Sequence, residues 1–131
     1  MRQAINIREA AKPAGHYSHA VVANGFVFVS CQGPRNPKTG DIPKSVADQT
    51  RQVLSNLETI LRGVGSSLAH TVKLTVLIGD SNLFSEYDAA YRDFFTKEPP
   101  ARTTIECPLG EHAIEADCIA VITSDLRSIN T

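Results

Sequence analysis

Residues 20–31 read AVVANGFVFVSC, two short runs of β-branched, small and aromatic residues on either side of Asn24 and Gly25. Asn-Gly is the dipeptide that most readily takes two successive positive φ angles, so residues 20–22 and 26–29 are expected to pair as a hairpin across a two-residue turn. In the second run Phe26, Phe28 and Ser30 alternate with Val27, Val29 and Cys31. Alternate strand residues face opposite ways, and here both sets are apolar enough to be covered. A central strand reads this way, and it puts a sheet at the heart of the fold.

Outward from the hairpin, residues 33–43 hold three prolines and two glycines, including the turn-like run Asn36, Pro37, Lys38, Thr39, Gly40, and form a loop. Ser45 then caps a helix whose apolar stripe is Val46, Val53, Leu54, Leu57, Ile60, Leu61 and Val64, ending at Gly63–Gly65. Residues 70–78 alternate, with Val72, Leu74, Val76 and Ile78 opposed to Thr71, Lys73 and Thr75, as in a strand with one wetter face. A second helix is expected over 83–96 from the spacing of Phe84, Tyr87, Tyr91, Phe94 and Phe95, stopped by Pro99 and Pro100. Two last strands, 103–107 and 114–123, close an α+β order with no internal repeat. A mixed sheet carrying both helices on one face leaves the other partly apolar, and such a face calls for a partner subunit. A homo-oligomer is the expectation.

The chain has 131 residues, 42% of them apolar and 21% charged, which fits one globular domain spanning 1–131. Thirteen basic residues against fourteen acidic ones leave a net charge of −1, with no field to gather nucleic acid or an anionic membrane. The first eleven residues carry Arg2, Arg8 and Glu9 and read as neither a signal peptide nor a spanning helix, so a cytoplasmic protein is expected. Cys31, Cys107 and Cys118 are odd in number and widely spaced, which suits free thiols. His16, His19, His70 and His112 offer no metal-ligand spacing with them, so no metal is expected.

Arg102 and Glu115 are the residues best suited to chemistry. In the strand that begins near Arg102, the side chains of Arg102, Thr104 and Glu106 share a face, so guanidinium and hydroxyl can line one wall. A guanidinium offers a rigid fork of donors that matches a small carboxylate. Its plainer use is an ion pair with Glu106 or Asp88. Glu115 interrupts an apolar strand, where a carboxylate serves either as a general base toward water or as a partner of Lys73 or an arginine. Cys31 has no neighbour in sequence that would turn it into a nucleophile. Tyr17 either closes a cleft or anchors the N-terminal segment. No phosphate-binding glycine loop, dinucleotide fingerprint or nucleophile elbow is present.

Gly15–Ser18, 28–32, 36–40, 91–96, Pro100–Thr103 and 114–121 together resemble the RidA/YjgF family of enamine/imine deaminases over nearly the whole chain. The resemblance is most specific at Pro100-Ala101-Arg102 and Ile114-Glu115-Ala116. It implies a chorismate-mutase-like α+β domain with a mixed six-stranded sheet, and a homotrimer with ligand clefts between neighbouring subunits. It further implies hydrolysis of 2-imino acids, such as 2-iminobutanoate and 2-iminopropanoate, to 2-keto acids and ammonia without metal or organic cofactor. Arg102 would grip the substrate carboxylate and Glu115 would activate water. Tyr17, Ser30, Cys31 through its backbone N–H, and Thr104 would line the cleft, with Asp88 coming from the adjoining subunit.

Three positions depart from the family pattern. Cys31 stands where glycine is usual, Thr104 where cysteine is frequent, and Asp88 where asparagine is usual, the last adding negative charge beside an anion site. The alternatives are a specialised enamine deaminase of the same family, such as one acting on 2-aminomuconate, and a non-catalytic trimer that binds small carboxylic acids. Some relatives are linked to RNA cleavage, against which the balanced charge argues here.

Overall fold

The computed structural model describes residues 1–123, so the end of the expected domain, residues 124–131, lies outside the described residues. The chain forms a single α+β domain with six strands, β1 (Arg2–Ile5), β2 (Ala20–Ala23), β3 (Phe26–Gln32), β4 (Thr71–Ile78), β5 (Ala101–Glu106) and β6 (Ile114–Val121), and two α-helices, α1 (Val46–Gly63) and α2 (Phe84–Arg92). The strands make one sheet in the order β1-β2-β3-β6-β4-β5. Only β4 and β5 run parallel, joined by the crossover through α2. That makes the sheet mixed.

The hairpin is as expected: Ala23 pairs with Phe26, and Asn24 and Gly25 take φ values of 52° and 80°. β3 lies inside the sheet between β2 and β6. β1 has no strand signal in the sequence: Arg2-Gln3-Ala4-Ile5 lacks a strand's alternation and forms by pairing with β2.

α1 begins at Ser45, whose side chain accepts from the Asp48 N–H. Its stripe of Val53, Leu54, Leu57, Ile60 and Leu61 is fully buried against the sheet. Each such side chain contributes on the order of 1.5–3 kcal/mol when taken out of water. α2 is shorter than expected. It ends at Arg92 because the chain tightens into three-residue turns, with the Phe94 and Phe95 N–H groups donating to the Tyr91 and Arg92 carbonyls, so those two aromatics follow the helix. The strand expected over 114–123 stops at Val121.

Two bulges change which way side chains point. The register between β4 and β6 shifts between Thr71 and Lys73, so Thr71 is buried while Val72 is exposed, the reverse of the simple alternation. The register between β3 and β6 shifts between Val29 and Gln32. Cys31 therefore does not follow Val27 and Val29 into the core; it turns to the opposite face, beside Glu115.

The helices cover the face carrying Leu74, Val76, Ile78, Ala116, Cys118 and Val27. Phe26, Phe28, Ile105 and Val121 lie on the other face and remain 37–45% exposed. Among the described residues no helix is long and apolar enough to cross a membrane.

Candidate active site

Arg102 occupies the edge strand β5 in register with Leu74, on the helix-covered face. Its Nη1 donates to Asp88 Oδ1 at 2.8 Å, and its guanidinium carbon lies 5.4, 5.1 and 4.6 Å from the ring centres of Phe84, Tyr87 and Tyr91. Three aromatic faces within about 6 Å make a cation–π seat, typically worth on the order of 0.5–2 kcal/mol. Tyr87 and Tyr91 come from one face of α2 and Asp88 directly follows Tyr87, so a single helix supplies both the rings and the counter-charge. Among the described residues the guanidinium makes no other hydrogen bond, and its side chain is 21% exposed. The head is thus pinned on one side with donors left over. It opens on a cleft of about 740 Å³ bounded by Asp88, Tyr91, Arg92, Pro99 and Pro100.

Asp88 pairs with Arg102 of its own chain and also accepts from Arg92 at 3.2 Å. That differs from the adjoining-subunit placement relative to Arg102 that the resemblance implied. It is the plainer ion pair that the sequence offered, made possible because β5 runs directly beneath α2. The Arg102 guanidinium holds the Asp88 carboxyl below its ordinary range. Thr104 and Glu106 share the face of Arg102, as the alternation predicts. Thr104 Oγ1 is hydrogen-bonded to the Tyr87 hydroxyl at 2.6 Å, and Glu106 accepts from the Ser81 N–H.

Glu115 is in register with Leu77, an odd number of residues along β4 from Leu74, and therefore lies on the opposite face of the sheet from Arg102. One chain does not bring the two together. Glu115 Oε2 is 2.8 Å from His112 Nδ1, and Oε1 accepts from Cys31 Sγ at 3.6 Å. Its partner is thus neither Lys73, which donates to Thr103, nor an arginine. β6 is an interior strand, so Glu115 stands on the face of the sheet away from its edges. Burial, and then the charge of Glu115, push the Cys31 thiol up to about 12. It stays protonated and serves as a donor, not a nucleophile.

Tyr17 and Ser30 gather on the Glu115 side. Both line a cleft of about 750 Å³ with Arg2, Lys12 and His16, while Tyr17 and Cys31 also line a smaller hollow of about 170 Å³ with His19 and His112. The Tyr17 hydroxyl accepts from the Ala14 N–H at 3.0 Å, so the side chain anchors the N-terminal segment and lines a cleft at once. Ser30 Oγ donates to the Ser18 carbonyl at 2.7 Å.

The candidate residues therefore form two half-sites: Arg102, Asp88 and Thr104 on one, and Glu115, Cys31, Ser30 and Tyr17 on the other. Sequence reasoning missed the aromatic seat under Arg102, since the rings read only as a helix's apolar stripe. It also missed His112, weighed only as a metal ligand, although its spacing of three from Glu115 was a usable signal. Among the described residues no three His, Cys, Asp or Glu side chains converge as a metal ion would require.

The sequence profile described as Endoribonuclease L-PSP matches residues 7–122. A RutC family protein of Pyrococcus horikoshii is 42% identical over 107 residues, covering 81% of this chain and 85% of its own. The 2-iminobutanoate/2-iminopropanoate deaminase of Escherichia coli K12 is 36% identical over 126 residues, covering 92% and 98%. The crystal structure of E. coli TdcF with bound serine superposes with a TM-score of 0.86 at 32% identity, covering 92% of this chain and 99% of that one. With nearly all of its described length inside that profile and relatives of 36–42% identity matched over 85–98% of their own lengths, the chain belongs to the Endoribonuclease L-PSP family, that of YjgF and RidA.

Proposed function

We propose that the protein is a cofactor-independent deaminase that hydrolyses short 2-imino acids to 2-keto acids and ammonia, in clefts completed between the subunits of a homotrimer. The observation that carries this reading is the Arg102 guanidinium, seated on three rings and held by Asp88 at a cleft mouth with donors to spare. The matching name of the E. coli relative supports it. So does the exposed apolar sheet face around Phe26, Phe28 and Ile105, which a neighbouring copy would cover.

In this reading the cleft takes Arg102, with Asp88 and Thr104 beside it, from one subunit and Glu115, Cys31, Ser30 and Tyr17 from the next. Arg102 forks onto the substrate carboxylate and fixes the imine carbon in place. Glu115 takes a proton from water as its oxygen bonds to that carbon, giving a carbinolamine. Glu115 passes that proton to the nitrogen; as the carbon–nitrogen bond breaks and ammonia leaves, the carbinolamine hydroxyl gives its own proton back to Glu115 and becomes the carbonyl of the keto acid. A protonated imine is already electrophilic, so positioning and one base suffice.

The test supplies 2-iminobutanoate and 2-iminopropanoate in situ from a pyridoxal-phosphate dehydratase acting on threonine or serine, and follows keto-acid release. The protein should raise the rate severalfold above the spontaneous background. Acceleration with 2-aminomuconate alone would replace the short substrates by the larger one. Binding of 2-oxobutanoate with no acceleration of any imine would mean a carboxylate-binding module instead.

A further inference from the structure

Glu115 is held at both oxygens, and one of its holders comes from the turn that precedes its own strand. We infer that His112 is a positioning residue for the Glu115 carboxylate, an inference that rests on the proposed function of Glu115 as the base.

His112 Nδ1 lies 2.8 Å from Glu115 Oε2, and the two side chains are 22% and 25% exposed. With Glu115 ionised, Nδ1 must carry the hydrogen. The pair spans three residues at the entry to β6, where Glu115 is already in strand geometry and His112 is not. The backbone beneath His112 is tied down from three directions. The His112 N–H donates to the Leu109 carbonyl across the Gly110 turn, the Ala113 N–H donates to Gln49 Oε1 of α1 at 2.8 Å, and the Ala113 carbonyl accepts from the Gly79 N–H after β4.

The ring itself is confined. A Cβ at Gly33 would come 2.9 Å from His112 Cε1, so the absence of a side chain there leaves the space the imidazole occupies. A ring fixed by its own backbone and by a close wall is a rigid donor. It holds Oε2 and leaves the carboxylate one orientation, with Oε1 toward the Cys31 thiol and the hollow that His112, Cys31 and Tyr17 line. A general base acts only when a lone pair points at the proton it removes, and small misplacements are costly. Removing the imidazole frees the carboxylate to rotate without altering the carboxylate-binding half-site around Arg102.

The experiment compares His112→Ala and His112→Asn in native and Glu115→Gln backgrounds, each assayed for 2-iminobutanoate hydrolysis and checked for folding by circular dichroism. Asn places an amide donor near the position of Nδ1 without the ring. His112→Ala should lower kcat by roughly tenfold with KM within about twofold of native, and His112→Asn should recover most of the loss. In the Glu115→Gln background His112→Ala should cost nothing further, since its effect passes through the carboxylate. The inference is overturned if His112→Ala keeps native kcat, if it lowers activity equally in both backgrounds, or if Asn restores the thermal midpoint but not the rate. A native rate in Glu115→Gln alone would instead remove the reading of Glu115 as base, so the two failures are told apart.

Discussion

Glu115→Gln is expected to lower kcat for 2-iminobutanoate hydrolysis by roughly 10²-fold or more while leaving 2-oxobutanoate affinity within about twofold, the range that general bases contribute. The substitution keeps shape and polarity. A glutamine amide still accepts from His112 and still fills the space beside Cys31, so the interior of the sheet need not rearrange. It loses the charge, one of the two acceptor oxygens, and with them the ability to take a proton. In the proposed reading Glu115 carries no part of the carboxylate grip, which belongs to the other half-site, so binding and turnover should separate cleanly. Rate measurements with saturating dehydratase-generated imine, paired with calorimetric titration of the keto acid, check both halves. Parallel loss of affinity and rate would mean that Glu115 shapes the cleft rather than acting on water.

Arg102→Ala should lower kcat/KM by about 10²–10³-fold, as expected for removal of a charge-assisted carboxylate contact in a partly dry cleft. Two effects add here. The fork that orients the acid disappears, and Asp88 loses the cation that balances its charge, leaving a negative charge at the site with only Arg92 beside it. An incoming carboxylate then meets repulsion where it met attraction. Arg102→Lys should fall between native and alanine, since it keeps the charge but neither the fork nor the guanidinium carbon 4.6 Å over the Tyr91 ring. Steady-state kinetics of the three proteins, with thermal midpoints as a folding check, tests the order. Equal kcat/KM for lysine and alanine would show that charge at this position does not matter.

The elements that local chemistry determines were legible in the sequence. Asn24-Gly25 specified the hairpin, Ser45 with the stripe from Val53 to Leu61 specified α1, and the apolar faces of β4 and β6 placed both strands in the sheet. What pairing decides was not legible. Arg2–Ile5 becomes a strand only against Ala20–Ala23, and the bulge after Val29 turns Cys31 to the Glu115 side although simple alternation points it to the core. The candidate residues stood out by type and by resemblance, yet their division between two faces was hidden. Whether Arg102 and Glu115 share a face depends on the registers of β5 and β6 against β4, which no local pattern encodes. Asp88 reaches Arg102 because α2 packs over β5, again a tertiary fact.

The central claim is that each cleft draws its cation from one subunit and its acid from another, and mixing two inactive proteins tests it most directly. Arg102→Ala and Glu115→Gln chains, differently tagged, are co-refolded in equal amounts and assayed beside each parent. In a closed three-fold ring with random assortment, about a quarter of the clefts pair an intact Arg102 with an intact Glu115 from its neighbour, so roughly a quarter of native activity should return. A mixture no more active than its parents, in preparations that the tags show to contain mixed oligomers, would contradict the shared cleft.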